Sequence, residues 1–498
     1  MRRFGTGFSF PVRIIDRQGA ESVRETQMFF RQIVDSKLAQ YAYLAGCQRT
    51  REAVLIDPER DVDRYVAIAR GEGLRITAVT ETHIHADFLS GCREFVNRYG
   101  CRAYLSAEGG PGWEYEWAQG HDRVTLLGDG DRFTVGEIDF QAVHTPGHTP
   151  EHMSFLITDR GAGAGEPMGM VSGDFVFVGD LGRPDLLESA AGHAGEMEPS
   201  ARRLHASALG VFELPDYLRI WPGHGAGSAC GKALGAVPDT TAGYEKRYSP
   251  ALAAVRRGED AFVSYILDGQ PEPPLYFARM KTENRRGPAL LGPLPRPGRL
   301  SGTELADVVA DRHTVVVDTR GDRLGYYGGH IPGSIYAPLD KSFPTVTGSY
   351  IDPASPIVLI CNEGQVEEAV RDLVRIGLDQ VTGWAPPEAL EAFRAAGGRL
   401  ASIEVIDFRE VGRRGPDPGV QVLDVRRATE FAETRVDGAA NIAHTRLAGR
   451  LDELPRDKEV LVHCLTGARA SAAASLLERE GFRVAAVNDI FADAYRRG

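Results

Sequence analysis

The C-terminal part of this chain contains an internal repeat, and this repeat constrains the fold more than any other feature. Its matching segments, in chain order, are TVVVDTR (314–320), PIVLICNEGQ (356–365), VQVLDVR (420–426) and EVLVHCLTGARAS (459–471). Asp318 and Asp424 are 106 positions apart, and Cys361 and Cys464 are 103 apart. Because the shift is nearly constant across separate motifs, we expect two related units of about 100 residues, each with a buried strand that ends at a cysteine.

The length and composition allow one further and larger domain before the repeat. The chain has 498 residues, of which 43% are hydrophobic and 25% charged, as in globular proteins. Proline and glycine are concentrated between Asp268 and Arg299 and interrupt both helix and strand patterns. The predicted division is an N-terminal extension (1–27), a large domain (28–268), a linker (269–299) and two repeats (300–400 and 401–498).

The charge and the cysteines limit the partners and the compartment. The formal net charge is −12, which weighs against nucleic acid and anionic membranes as partners. The six cysteines are scattered and do not form a disulfide framework, which favours a reducing compartment. No apolar run reaches the ~18 residues of a membrane span, and residues 1–27 lack the apolar core of a secretory signal. We therefore expect a cytoplasmic protein.

The region before the linker alternates short strand-like runs with helical segments, which predicts an α/β layered domain. The strand-like runs are 40–45, 53–56, 75–81, 123–127, 139–143, 153–158 and 218–221. Helical periodicity is present at 63–70, 89–99 and 199–213.

Histidine and aspartate side chains follow several of these runs. His83, His85 and Asp87 come directly after the run that ends at Glu81, and strand alternation places them on one side of the chain. Further candidates at the ends of apolar runs are His148, Asp174 and His224. Such ends converge at one edge of a sheet, so the ordered set predicts a metal site. A solvated loop with incidental histidines is the alternative.

This ordered set resembles the metallo-β-lactamase superfamily, in which an HxHxDH motif, a TPxHT histidine, a bridging aspartate and a late histidine hold metal. The resemblance covers about residues 28–260 and implies an α/β fold, the αββα sandwich. Phe88 departs from the pattern, because the family has a histidine after the aspartate. Its loss removes a ligand from the second metal position, so we expect a single metal. A dinuclear zinc thioester hydrolase of the glyoxalase II type is the alternative.

Two imidazoles and one carboxylate with open positions suit Fe(II) and O2 chemistry, and the persulfide dioxygenase branch of the superfamily has this arrangement. The resemblance to that branch implies one Fe(II) per chain, with zinc as the alternative. The implied ligands are His83, His148 and Asp174. The residues implied on the substrate side, or around a second metal in the alternative, are His85, Asp87 and His224. Arg183, in the stretch after the aspartate ligand, would hold an anionic thiol carrier or be an ordinary surface arginine.

Two other segments are expected to lie beside the same pocket. Cys230 lies in a glycine-rich loop six residues after His224, where its thiol either carries sulfane sulfur or acts as a small buried apolar group. Residues 280–288 resemble the MKxxNxxGP stretch that precedes rhodanese units in related fusions. That resemblance places Lys281 and Asn284 over the metal pocket, and linker chemistry is the alternative.

The second repeat contains a candidate sulfur-carrying thiol. Cys464 leaves an apolar strand and leads into a predicted helix, where backbone N–H groups lower the pKa of a thiol. Arg469 adds a positive charge for a sulfur oxyanion. The loop resembles the CxxGxR loop of rhodanese, which implies a persulfide on Cys464, and a structural cysteine is the alternative. The other residues of that loop and of the distant DVR motif are Gly467, Asp424 and Arg426.

The first repeat departs from the rhodanese pattern. It keeps Cys361, but Val366 stands where the arginine belongs. Glu363, Glu367 and Glu368 crowd the loop, and we expect their carboxylates to raise the thiol pKa and to repel thiosulfate or sulfite. This copy is therefore interpreted as a degenerate, structural rhodanese-like domain.

Together these features resemble the bacterial persulfide dioxygenase–rhodanese fusions. The resemblance implies that a low-molecular-weight thiol persulfide reacts with O2 to give sulfite and thiol in sulfide detoxification. It also implies that Cys464 forms or uses thiosulfate and that the chain is a homo-oligomer. The sequence leaves the thiol carrier (glutathione, coenzyme A or another) and the direction of the rhodanese step open. A non-enzymatic sulfur-sensing scaffold is a third hypothesis, disfavoured by the intact Cys464–Arg469 loop.

Overall fold

The computed structural model describes residues 27–189, 195–311 and 313–491. The extension predicted at 1–27 lies outside the described residues except for Gln27, and so do residues 492–498 of the second repeat. None of the helices in the described ranges is long and apolar enough to cross a bilayer.

The first domain contains two six-stranded sheets, in each of which the strands are neighbours in chain order. The strands of the first sheet are β1 (Met28–Asp35), β2 (Gln40–Cys47), β3 (Glu52–Ile56), β4 (Arg75–Thr80), β5 (Arg102–Ser106) and β6 (Val124–Leu127). Those of the second are β7 (Arg132–Val135), β8 (Ile138–His144), β9 (Met153–Asp159), β10 (Gly169–Gly173), β11 (Arg219–Pro222) and β12 (Thr240–Thr241).

This part of the chain also contains helices, several of which pack against the outer faces of the two sheets. They are α1 (Asp63–Gly71), α2 (Cys92–Tyr99), α3 (Leu186–Ser189), α4 (Met197–Leu209), α5 (Ala242–Tyr248), α6 (Pro250–Arg256), α7 (Glu259–Leu267) and α8 (Phe277–Arg286). Along β2, Tyr41 and Tyr43 pack between the sheets, whereas Ala42 and Leu44 pack against the layer of α1 and α2. Because side chains alternate across a strand and both faces of this strand are buried, its apolar run is continuous.

The layered αββα arrangement confirms the predicted fold class. All seven predicted strands of this domain lie within two residues of an observed strand. The predicted helix at 89–99 begins only at Cys92, because Leu89 belongs to the loop that carries the metal motif.

Two further sheets correspond to the two repeats. The first repeat contains β13 (Gly298–Arg299), α9 (Gly302–Ala310), β14 (Val315–Asp318), α10 (Arg323–Gly328), β15 (Ile335–Tyr336), α11 (Phe343–Tyr350), β16 (Ile357–Ile360), α12 (Val366–Arg375), β17 (Val381–Ala385) and α13 (Ala389–Ala395). The second contains β18 (Glu404–Ile406), α14 (Phe408–Arg414), β19 (Val420–Asp424), α15 (Ala428–Glu433), β20 (Ala440–Asn441), β21 (Glu459–His463), α16 (Ala468–Arg479) and β22 (Arg483–Val487).

The two small sheets have the same topology. Their strand orders are β13-β17-β16-β14-β15 and β18-β22-β21-β19-β20. All the strand pairs in both sheets are parallel. The shared order confirms that the sequence repeat is a structural repeat.

The stretch 269–299 is more than a linker, which corrects the sequence interpretation. It contains α8, and the chain after this helix is hydrogen-bonded to α2 of the first domain. The Glu94 carboxylate accepts from the backbone N–H groups of Leu291 and Gly292, each at 2.9 Å. Prolines prevent regular backbone hydrogen bonding in this stretch, and side chains of α2 bind its backbone groups instead.

Candidate metal centre and sulfur-transfer loop

Three side chains meet where strands of the first domain end. His83 follows β4, His148 follows β8, and Asp174 follows β10. The Nε2 atoms of His83 and His148 lie 3.9 and 3.5 Å from Asp174 Oδ2. All three side chains are buried, and one ligand atom from each lies within 4.8 Å of the others. The structure therefore brings together the three residues that the sequence resemblance implied as ligands.

The hydrogen bonds of the two imidazoles leave both Nε2 atoms without a proton. His148 Nδ1 lies 2.9 Å from the backbone oxygen of Arg183, which can only accept, so we assign the proton to Nδ1. Thr82 Oγ1 donates to Asp57 at 2.9 Å and accepts from His83 Nδ1 at 3.0 Å. Burial lowers the pKa of His148 to about 4 and that of His83 well below its usual value. Neutral imidazoles with oriented lone pairs are good metal ligands.

Asp174 supplies the negative charge. Its Oδ1 accepts from His224 Nδ1 at 2.7 Å, while its buried Oδ2 has no hydrogen-bond partner among the described residues. Burial alone would raise the pKa of this carboxyl, but His224 holds it below its ordinary value. An unpartnered carboxylate oxygen that faces two bare imidazole nitrogens fits a divalent cation.

A second cluster lies beside the first. Asp87, His224 and Cys230 have ligand atoms within 4.8 Å of one another, and His224 Nε2 lies 2.8 Å from Asp87 Oδ2. Burial raises the pKa of the Cys230 thiol to about 11. His85, which the sequence grouped with Asp87 and His224, instead places Nε2 3.1 Å from an oxygen of Asp57. The second cluster thus contains a thiol in place of the expected imidazole.

Helix α8 closes over this region. The Asn284 amide donates to the backbone oxygens of His85 and Phe88 at 2.9 and 2.7 Å and accepts from Ser90 N–H at 2.9 Å. It thereby fixes the loop that carries the metal motif. Lys281 is 5% exposed, and its ammonium lacks a hydrogen-bond partner within the described ranges. Burial lowers the pKa of Lys281 to about 8. The Lys281 ammonium in turn contributes to the lowered pKa of His148.

Arg183 does not face the pocket as a free cation, which differs from the sequence expectation. It is 1% exposed, and its guanidinium binds both carboxylate oxygens of Asp185 at 2.8 and 2.6 Å. Its remaining N–H groups donate to the backbone oxygens of Ala229 and Pro271. The side chain is therefore not a surface arginine, and it ties the Cys230 loop to the chain before α8.

Backbone N–H groups at the start of α16 point at the Cys464 sulfur. Cys464 Sγ accepts from the N–H groups of Gly467 at 3.2 Å and Ala470 at 3.4 Å, at the start of α16. Gly467 has φ +88°, and a Cβ there would lie 2.8 Å from Asn488 Oδ1. Glycine is therefore required at this position of the loop. The N-terminal dipole of α16 favours negative charge on the sulfur.

The arginines around this loop have different partners from those expected. Arg469 forms a bidentate pair with Glu430 at 2.6 and 2.8 Å, so part of its charge is already compensated. Arg426 is paired with Asp424 and stacks 3.9 Å from the Phe491 ring, which makes the DVR motif structural. Sequence reasoning also missed Arg323, which lines a cleft of about 590 Å³ between the repeats.

Cys361 lies in the same cleft but differs chemically from Cys464. Burial raises the pKa of the Cys361 thiol to about 12. Two of the three glutamates expected to cause this shift are engaged elsewhere, since Glu367 pairs with Arg371 and Glu368 with Lys37. The pKa of Cys361 is thus raised as expected, but the cause is desolvation of the buried thiol.

Asp57 supports the metal motif, and its position directly after a strand is a sequence signal that would have revealed it. It follows β3 directly, as the ligands follow their strands, and it accepts from Thr82 N–H at 2.7 Å. Glu430, by contrast, lies on α15, 39 positions before Arg469, and no local pattern links the two.

Comparison with known proteins identifies a family for the first domain and another for the two repeats. Residues 36–224 match the metallo-beta-lactamase superfamily, and residues 301–382 and 408–491 match the rhodanese-like domain. A solved metallo-beta-lactamase from Staphylococcus aureus subsp. aureus COL is 40% identical, with a TM-score of 0.64, and the match covers 73% of this chain and 99% of that chain.

Curated relatives that match the first domain include a dioxygenase and a hydrolase. The mitochondrial persulfide dioxygenase ETHE1 of Mus musculus is 26% identical over 216 residues, 43% of this chain and 75% of that protein. A hydroxyacylglutathione hydrolase of Rhodospirillum rubrum is 30% identical over 184 residues, 37% of this chain and 61% of that protein. The chain therefore belongs to the metallo-β-lactamase superfamily and combines that domain with two rhodanese-like domains.

Proposed function

We propose that this protein is an Fe(II)-dependent persulfide dioxygenase with a sulfurtransferase activity at Cys464. Its first domain would oxidise the sulfane sulfur of a low-molecular-weight thiol persulfide with O2. Water supplies the third oxygen of sulfite, and the thiol is released. The observation that carries the proposal is the group of His83, His148 and Asp174, a single set of two imidazoles and one carboxylate with an unpartnered oxygen.

The residues of the first site have separable roles in this proposal. His83, His148 and Asp174 would hold the iron, which when bound supplies the activation of O2. The Asp57–Thr82 hydrogen bonds orient the His83 ring. The buried ammonium of Lys281 would attract the anionic sulfur terminus of the substrate. A persulfide carries such an anion, whereas a thioester carbonyl does not, so this cation favours the persulfide.

The second rhodanese-like domain would transfer sulfane sulfur. The Cys464 thiolate attacks the outer sulfur of thiosulfate, the S–S bond breaks, and its electron pair leaves on sulfite. The persulfide formed on Cys464 then gives its outer sulfur to an acceptor thiolate. In the opposite direction, sulfite attacks the Cys464 persulfide and thiosulfate leaves. The N–H groups of Gly467 and Ala470 stabilise the sulfur anion in both directions.

A cavity of about 160 Å³ supports coupling of the two sites. It is lined by Asp87 and Ala229 of the first domain and by Arg427 and His444 of the second repeat. An anion released beside the metal site would thus meet the second rhodanese-like domain. All six cysteines are free thiols, which supports a cytoplasmic location.

One observation favours a second candidate function. Asp87, His224 and Cys230 form a second group of possible ligands beside the first, and a hydroxyacylglutathione hydrolase is among the relatives. A dinuclear zinc hydrolase of thioesters would use both groups. Phe88 counts against it, because its buried ring contacts the His85 ring at 4.3 Å where the superfamily pattern has another imidazole.

The test of the proposed function is the metal content together with O2 consumption. We expect the protein purified anaerobically to hold about one iron per chain and to consume O2 with glutathione persulfide. Sulfite or thiosulfate should accumulate in proportion to the O2 consumed. Two zinc ions per chain, no O2 uptake, and hydrolysis of a glutathione thioester would establish the second candidate instead.

Replacing Lys281 with methionine should raise the KM for glutathione persulfide by about tenfold or more, because a charge-assisted contact is lost. kcat should change less. In the natural protein the KM should rise as the pH increases through about 8, where the Lys281 ammonium loses its proton. The variant should lack this dependence.

Steady-state O2 uptake between pH 6.5 and 9.5 measures both effects. Lys458→Met, in the second repeat, is the control and should behave as the natural protein. Because Lys281 is a buried charge without a hydrogen-bond partner within the described ranges, its removal should not lower the midpoint of thermal unfolding. An unchanged KM in Lys281→Met would show that this lysine does not bind substrate.

A further inference from the structure

The first rhodanese-like domain is attached to the metal-binding domain through the helix that follows its degenerate loop. This helix, α12, ends at Arg375, which is 8% exposed. The guanidinium lies 2.7 Å from Asp35 Oδ2, 2.8 Å from Asp61 Oδ2 and 3.1 Å from Glu59 Oε2. All three carboxylates are at least 96% buried and belong to the other domain. One side chain of the degenerate domain thus binds a buried acidic cluster more than 300 positions away in sequence, and it shares Glu59 and Asp61 with Arg64 of the first domain.

Two residues of the acidic cluster belong to the loop that positions the metal motif. Glu59 and Asp61 lie in the loop after β3, and Asp57 in the same loop binds Thr82 and His85. Through Thr82, this loop sets the orientation of the His83 ring. Asp57 at the start of this loop therefore orients the metal motif, and Arg375 binds the later part of the same loop through Glu59 and Asp61.

A backbone contact holds the opposite end of the metal motif. Leu89 N–H donates to the backbone oxygen of Arg375 at 2.7 Å. Ala86 and Leu89 also belong to one apolar cluster with Leu373 and Ile376. The segment 82–90 is consequently fixed to the first rhodanese-like domain both by packing and by hydrogen bonding.

Loss of Arg375 would leave like charges buried side by side. Arg64 would still pair with Glu59 and Asp61, but Asp35, whose ionic partner within the described residues is Arg375, would lose its counter-ion, so the loops would rearrange or take up water. The neighbouring Arg371 reaches Asp61 at 3.2 Å but is otherwise paired with Asp63 and Glu367. It cannot replace Arg375 at Asp35.

We infer that the first rhodanese-like domain is a structural part of the metal centre and that Arg375 is a positioning residue for the ligand loop 82–90. The inference builds on the proposed metal site but not on the reaction that it catalyses. It also gives the degenerate domain a role that does not require Cys361. The domain has lost the arginine of its own loop, while its following helix supports the neighbouring active site.

The test compares Arg375→Met with Arg375→Lys and with Arg394→Met in the full-length protein. Arg394 lies in the same domain, has a side chain that is 66% exposed and pairs only loosely with Glu391, at 3.7 Å. Two measurements are made on metal-free protein: hydrogen exchange of peptides that contain residues 82–90, and titration with Co(II) alone. Neither measurement depends on dioxygenase activity.

We expect amide exchange in 82–90 to accelerate by about tenfold or more in Arg375→Met, and Co(II) affinity to fall by a similar factor. Arg375→Lys should be intermediate, and Arg394→Met should be unchanged. Thiosulfate:cyanide transfer at Cys464 should stay within about twofold of the natural rate in all three, since a globally unfolded variant would lose it.

Unchanged exchange and Co(II) affinity in Arg375→Met would overturn the inference. If Arg375→Met does not fold, the same two measurements on Arg375→Lys test the inference. Lysine keeps the charge but not the geometry of the guanidinium, so amide exchange in 82–90 should still be faster than in the natural protein. A natural protein that binds metal but consumes no O2 would refute the proposed dioxygenase function and leave this inference standing.

Discussion

Replacing Cys464 with serine should abolish thiosulfate:cyanide sulfur transfer, with a loss of about a thousandfold or more, because the attacking thiolate is removed. A serine hydroxyl is not ionised at neutral pH and cannot form a persulfide. The Gly467 and Ala470 N–H groups would remain in place, so the fold should be retained. O2 uptake with glutathione persulfide should stay largely unchanged, and the product should shift from thiosulfate towards sulfite if the two sites are coupled.

Cys361→Ser is the matched control for this substitution. Both cysteines end a central strand of a rhodanese-like sheet, but burial raises the pKa of Cys361 to about 12, so its thiol is protonated at neutral pH. We therefore expect Cys361→Ser to retain sulfur transfer. If it were inactive while Cys464→Ser kept its activity, the assignment of active and degenerate domains would be reversed.

The second large effect is expected at the metal site. His148→Ala should lower bound iron from about one per chain to near zero and should reduce O2 uptake by about a hundredfold or more. The backbone oxygen of Arg183 would also lose the Nδ1–H donor that fixes this ring. Metal analysis after anaerobic purification and an O2 electrode measure the two quantities on the same sample.

His205→Ala is the control for the loss of one histidine. His205 lies on α4, where its ring packs against Phe262, and it belongs to neither ligand group. Its removal should leave iron content and O2 uptake unchanged, and Cys464 transfer should persist in both histidine variants. Full iron occupancy in His148→Ala would mean that His83 and Asp174 bind the metal without this imidazole, and the proposed ligand set would be wrong.

The local features of this chain could be predicted without a structure. His83, His148 and Asp174 each follow an apolar strand within four residues, and strand ends meet at one edge of a sheet, so their order along the chain implied a common site. The repeat around Cys361 and Cys464 predicted two sheets, and these share one strand order. Such signals are readable because they depend on alternation, spacing and neighbours in sequence.

The charged residues could not be assigned in this way, because the partner of a charge is decided by the fold. Arg183 is occupied by Asp185 and two backbone oxygens, and Arg469 by Glu430, so neither has the free guanidinium that the sequence suggested. Lys281 is the reverse case. Within the described ranges its ammonium is buried without a hydrogen-bond partner, and only the resemblance to related fusions, not its neighbours in sequence, places it over the metal pocket.

The sequence by itself predicted the order of the three domains and the difference between the Cys464 and Cys361 loops, and its resemblance to a known superfamily implied the candidate ligands His83, His148 and Asp174. Only the tertiary structure decided that Cys230 joins the second ligand group and that Arg375 supports the metal loop. The physical reason is distance along the chain. Arg375 and Asp35 are 340 positions apart, and no periodicity or motif spans such an interval, whereas a buried charge must find its counter-ion in three dimensions.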